Sequence, residues 1–63
     1  MKSFISVEIG NSFRSSNDDF YIVTKIFGQK IYWDYFGNKK IPIKTTTIQL
    51  LTLAINEKRL EKL

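Results

Sequence analysis

Asp18 and Asp19 stand side by side in residues 11–19, NSFRSSNDD, and adjacent carboxylates are the raw material of a cation site or an acid–base pair. Their neighbours are serine and asparagine, which form turns by bonding their own backbone, so the pair also reads as plain turn chemistry. Nothing elsewhere reinforces the catalytic reading. The chain holds no histidine and no cysteine, which removes a general base near neutral pH, a thiolate nucleophile and the usual ligands of a structural zinc. No glycine-rich loop has the spacing that cradles a phosphate. The residues therefore predict a non-enzyme with no cofactor, no metal and no small-molecule substrate. A toxin-like ribonuclease is the least supported alternative.

Recognition has more to work with. Aromatic and basic side chains interleave through residues 19–44, DFYIVTKIFGQKIYWDYFGNKKIPIK. If Ile22, Ile26, Ile31, Trp33 and Tyr35 point inward, then Tyr21, Lys25, Phe27, Lys30, Tyr32 and Phe36 point outward with Asp34. Aromatic faces stack bases and lysines neutralise phosphates, so Tyr21, Lys25, Lys30, Tyr32 and Phe36 form a candidate nucleic-acid face, with Lys39 and Lys40 at the adjoining turn. The competing expectation is that the N-terminal strand or a helix covers this face, leaving Phe27, Tyr32 and Phe36 as a second core layer.

The elements that must position these residues follow from period and punctuation. Phe20, Ile22, Thr24 and Ile26 alternate with Tyr21, Val23, Lys25 and Phe27, the period of a two-faced strand. A two-residue turn at Gly28-Gln29, with positive φ at Gly28, gives a type II′ hairpin. Its register sets Ile26 opposite Ile31, Thr24 opposite Trp33 and Ile22 opposite Tyr35. A three-residue loop, Gly37-Asn38-Lys39, then pairs Tyr35 with Ile41 and Trp33 with Ile43, because register follows the apolar pattern. Pro42 marks that strand as an edge or its end. Upstream, residues 4–9 alternate as a first strand with Ile5, Val7 and Ile9 inward, and residues 11–19 read as a loop anchored by Phe13.

After residue 44 the period changes. Thr46 with Gln49 fits a capping box, predicting a helix from about Thr47 to near the C-terminus. Ile48, Leu51 and Ile55 share one face. Leu50, Leu53, Leu60 and Leu63 add apolar area on other sides, and a second stripe centred on Leu53 and Leu60 is a candidate interface, with Leu50 beside it. The expected fold is α+β: one domain over residues 1–63, a small antiparallel β-meander of about four strands in 1–44, and a C-terminal helix in 45–63.

The spacing Tyr21-x-Val23-x-x-Ile26-x-Gly28-x-x-Ile31-x-Trp33, followed by Gly37 and a short strand, resembles the meander of SH3-like small barrels. Tudor and KOW domains and many small bacterial and phage proteins share such a pattern. The resemblance covers residues 12–44. It implies a partly open barrel and a non-enzymatic role in binding nucleic acid, peptides or other proteins. The final helix departs from the pattern by replacing the last barrel strand, and no binding residue is carried over.

A chain of 63 residues without disulfides builds only one small core, and association with another chain is a common reinforcement. The net charge of +4 lies entirely in residues 38–63, so that part would meet an acidic partner first. No apolar run is long enough to cross a bilayer, and no secretory leader is evident. These features predict a cytoplasmic protein, in the host cytoplasm if the source is viral. The functional expectation is a small accessory or inhibitor protein of a phage or mobile element, binding a larger host protein or its own copies. The alternative is a nucleic-acid module using Lys25, Lys30, Lys39, Lys40 and Lys44.

Overall fold

The computed structural model describes residues 6–63 of the chain. Five strands, β1 (Ser12–Ser15), β2 (Phe20–Phe27), β3 (Lys30–Phe36), β4 (Thr45–Thr47) and β5 (Leu60–Lys62), surround one helix, α1 (Ile48–Asn56). They form one curled antiparallel sheet, a half-barrel of order β4-β3-β2-β1-β5. The arrangement is compatible with a small SH3-like barrel. The first four strands run as a meander, and α1 then carries the chain from one sheet edge to the other, where β5 pairs with β1.

The β2–β3 hairpin is the frame. Gly28 has φ +61 and Gln29 stays in the ordinary region, the geometry expected of a type II′ turn. Phe27 pairs with Lys30 and Ile26 with Ile31, as the sequence predicts. Then the register slips. Lys25 faces Tyr32 and Val23 faces Trp33, leaving Thr24 as a bulge whose hydroxyl donates to the Tyr32 carbonyl at 3.3 Å.

That one extra residue inverts the first half of β2. Tyr21 and Val23, expected outside, are buried beside Ile31, Trp33 and half-buried Tyr35, while Phe20 and Ile22 come to the surface. Trp33 is a core residue as expected. Tyr21 lies against it at 4.5 Å between ring centroids, and Phe13 at 6.2 Å.

Four further expectations change. Of the strand expected over residues 4–9, residues 4 and 5 lie outside the described part. Residues 6–9 form no strand: Val7 packs on the core, Ile9 is exposed, and the chain turns through Glu8 to Asn11. The Asn11 side chain accepts from the Glu8 amide at 2.8 Å, which turns the chain early. The expected loop over residues 11–19 instead contains β1, because Phe13 alternates with Ser12 and Arg14 and is completely buried.

The connection after β3 is longer than three residues. Ile41 and Ile43, expected in the core, are 91% and 71% exposed. Trp33 takes the backbone of this segment instead. Its amide donates to the Lys44 carbonyl at 3.0 Å and its indole to the Ile43 carbonyl at 2.9 Å. The partner strand is β4, which sets Thr46 opposite Ile31 and Thr45 opposite Tyr32.

The helix starts one residue later than expected and ends well short of the C-terminus. Thr46 belongs to β4, so Thr47 is the N-cap, its hydroxyl accepting from the Leu50 amide at 3.2 Å. Gln49 reaches Gln29 on the hairpin turn rather than back to the cap. At the other end, the Arg59 amide bonds the Ala54 carbonyl and the Lys58 amide bonds the Ile55 carbonyl, with Lys58 at φ +60. This is a Schellman ending, and it turns the chain so that Leu60 reaches the core on β5. The expected inward face of α1 is observed: Leu51 is buried, with Ile48 and Ile55 half-buried beside it.

Candidate interaction surfaces

Strand pairing decides which side chains share the convex face of the sheet. Phe20 is opposite Phe36, Ile22 opposite Asp34, Lys25 opposite Tyr32 and Phe27 opposite Lys30. The same register adds Ser12 and Arg14 from β1 and Glu61 from β5. The described residues leave much of this face open: Phe36 is 52% exposed, and Phe20, Ile22 and Phe27 are exposed as well. The ammonium groups of Lys25 and Lys30 lie 5.6 and 5.4 Å from the centroid of the Tyr32 ring, one cation–π contact from each strand.

The candidate nucleic-acid set is thus divided. Lys25, Lys30, Tyr32 and Phe36 remain together on the convex face. Tyr21 is in the core, on the opposite side of the sheet. Lys39 lies beside the Asp19 carboxylate at 3.5 Å, and Lys40 is exposed in the connection after β3. Phe20, Ile22 and Arg14 join the face without having been candidates, because their outward placement depends on the bulge at Thr24.

The leucines are also divided. Leu50 and Leu53 are 57% and 47% exposed on α1. Leu60 is not on the helix at all. It is half-buried in the core on β5, so the stripe of Leu53 with Leu60 does not form. Leu63 is exposed at the chain end.

Asp18 and Asp19 face different partners. Asp18 adopts φ +63 in the turn after β1, and its carboxylate accepts two hydrogen bonds from Arg14, at 2.6 and 3.1 Å. The guanidinium is held above its ordinary pKa by that bond. Asp19 is buried. Its carboxylate accepts from the Tyr35 hydroxyl at 2.7 Å and, more weakly, from Ser15 at 3.4 Å.

The Tyr35 bond lowers the Asp19 pKa more than burial raises it, with Lys39 adding to the lowering. Burial, and then the Asp19 bond, push Tyr35 up. Lys39 is raised, by Tyr21 first and then by Asp19. Among the described residues no three acidic, histidine or cysteine side chains gather as a metal site.

A groove of about 400 Å³ opens on the concave side between α1, the turn after β1 and the 37–44 connection. Buried Tyr21, Trp33, Leu51 and Ala54 line its depth. Of the candidate interface leucines, Leu50 and Leu60 line it. The sequence offered no sign of the other wall, because its apolar pattern places Ile43 in the core. No described helix is long and apolar enough to cross a membrane. Comparison with protein-family models, with curated proteins and with solved structures finds no match.

Proposed function

We propose that this chain is a non-enzymatic interaction module that docks on a larger protein. The observation that carries the reading is surplus apolar surface. Ten large hydrophobic side chains are exposed among the described residues, and several are neighbours rather than scattered: Phe20 opposite Phe36, and Leu50 beside Leu53 on α1. Catalysis has no comparable support, since the buried Asp19 is engaged by Tyr35, Ser15 and Lys39.

The finer reading is an SH3-like barrel of the Tudor or KOW type, in a small accessory or inhibitor protein of a phage or bacterium acting in the cytoplasm. The β1–β4 meander and the return of β5 to β1 support the barrel reading. The bias toward Lys, Ile, Asn, Phe and Tyr, common in AT-rich genomes, supports the origin.

The test is affinity capture of the tagged chain from a bacterial lysate, with and without nuclease, at low and high salt. A specific protein retained under all four conditions supports the reading, and none would end it. Light scattering distinguishes self-association: Leu53→Lys should stay folded by circular dichroism, and any dimer built on α1 should become a monomer.

A second reading has one observation of its own. The two lysines over Tyr32 combine a stacking face with adjacent cations, which suits single-stranded nucleic acid. In that case Tyr32→Ala should weaken binding by ~1–3 kcal/mol without unfolding the chain. Affinity should also fall steeply with salt. No binding of DNA or RNA at low salt would remove this reading.

A further inference from the structure

The groove on the concave side has a definite chemistry. Leu50 and Ile43 are exposed along it above Trp33, and Ser16, Asn17, Thr45 and Thr46 add hydrogen-bonding groups. It shares Ser15, Ser16, Arg59 and Leu60 with a smaller depression of about 180 Å³, which Arg14 and Lys58 also line.

Charge is distributed unevenly over the two. The groove is lined by Lys39 and Arg59 and by no carboxylate, and the depression adds Arg14 and Lys58 against Glu61 alone. Asp18, Glu57 and Asp19, which pair with Arg14, Arg59 and Lys39, line neither. The Arg14 and Arg59 pairs are solvent-exposed and of the kind that contributes little, so both guanidinium groups can change partner at small cost.

We propose that this groove takes an extended segment of a partner protein in which a bulky apolar residue is followed by acidic residues. The apolar side chain lies between Leu50 and Ile43 over Trp33. The carboxylates meet Arg59 in the groove and Lys58 just beyond it. The proposal rests on the interaction-module reading and adds its ligand. A hydrocarbon chain would leave the four hydroxyl and amide side chains without partners, whereas peptide amides satisfy them. A nucleic-acid strand would need phosphate partners along the apolar part, where Leu50 and Ile43 stand.

The probe is a displayed library of random dodecapeptides, selected on the folded 63-residue chain, followed by titration of the enriched peptides. Enriched sequences should carry a bulky apolar residue with Asp or Glu a few positions later. Leu50→Asp and Arg59→Glu should each weaken such a peptide by roughly tenfold or more, about 1.4 kcal/mol. Replacing the peptide's acidic residues by lysine should restore binding to Arg59→Glu. Phe36→Ser, on the convex face, should leave affinity unchanged, and circular dichroism should show all variants folded.

No enriched peptide, or peptides indifferent to both groove variants, would overturn the proposal. Peptides lost on Phe36→Ser instead would overturn the groove while leaving the interaction-module reading standing. A protein captured from lysate whose binding ignores Leu50→Asp and Arg59→Glu would do the same.

Discussion

The Tyr35 hydroxyl donates to the Asp19 carboxylate at 2.7 Å, and Gly37 lies directly against that bond. A Cβ at position 37 would run into the Tyr35 hydroxyl and the Asp19 carboxylate together. The Lys39 amide also donates to the Tyr35 oxygen, at 2.9 Å, so the phenol ties the start of the 37–44 connection to the end of the β1–β2 turn. Glycine is needed here for the space it leaves.

Gly37→Ala should therefore destabilise the fold by ~1–3 kcal/mol, the usual range for overpacking. In a Tyr35→Phe background the same substitution should cost less, because the hydroxyl is gone. Only the Asp19 oxygen and the ring carbon Cζ remain in the way, and the freed ring can shift. A double-mutant cycle of urea midpoints measures this. Equal costs in both backgrounds would mean that the crowding is relieved elsewhere.

The same pair predicts a pH profile with two shoulders. The Asp19 carboxyl is held below its ordinary value, chiefly by the Tyr35 bond, so its contribution is full above about pH 4 and fades as pH falls through the lowered pKa. Tyr35 is held above its ordinary value, so its contribution is full below about pH 10 and fades as pH rises through the raised pKa. Denaturation midpoints followed across pH should fall at both ends. Asp19→Asn should flatten the acid shoulder.

Trp33 touches Tyr21 and Phe13 and donates its indole to the Ile43 carbonyl. Trp33→Ala should cost ~3–5 kcal/mol, most of the stability of so small a domain, and leave the chain unfolded by circular dichroism. Trp33→Phe keeps ring packing but loses the hydrogen bond. It should stay folded, with a loss of ~0.5–1.5 kcal/mol for that bond before any packing change. Unchanged melting of Trp33→Ala would contradict the core assigned to it.

Deleting Thr24 should leave Val23 opposite Trp33 and Tyr21 opposite Tyr35, because the remaining residues already pair in that register and would form an uninterrupted ladder. Tyr21 and Val23 should therefore stay inside, and the deletion variant should unfold cooperatively, as should Thr24→Ser. A deletion variant without cooperative unfolding would show that the added twist of the bulge is needed to curl the sheet around its core.

Lys58 ends α1 at φ +60, a conformation that costs a residue with a Cβ. Lys58→Gly should stabilise by about 0.5–1 kcal/mol after the entropy of the added glycine is subtracted. Thermal melts at fixed salt decide this, and a lower melting temperature would count against the Schellman geometry.

What the sequence determined about this protein is what lies within a few residues along the chain. Gly28-Gln29 can only be a tight turn, the strands on either side alternate, Ile26 must meet Ile31, and Ile48, Leu51 and Ile55 share a helical face. Those are consequences of backbone sterics and side-chain period, and they hold in the structure. Placing Trp33 inside needed only its size and its partners.

Tertiary structure decided the rest, because the deciding partners are far away in sequence. A strand with apolar residues on both faces, as residues 20–27 have, carries no internal preference for which face is buried. The choice falls to Phe13 and Leu51, which arrive from opposite ends of the chain to pack with Tyr21, Val23 and Trp33. A helix pattern that continues through Leu60 is broken because Leu60 can bury itself only by leaving the helix and pairing beside β1. With those two choices made, Phe20 and Phe36 stay on the convex surface, and Leu50 and Ile43 stay beside the groove. Both candidate surfaces are products of long-range packing, which local periodicity cannot encode.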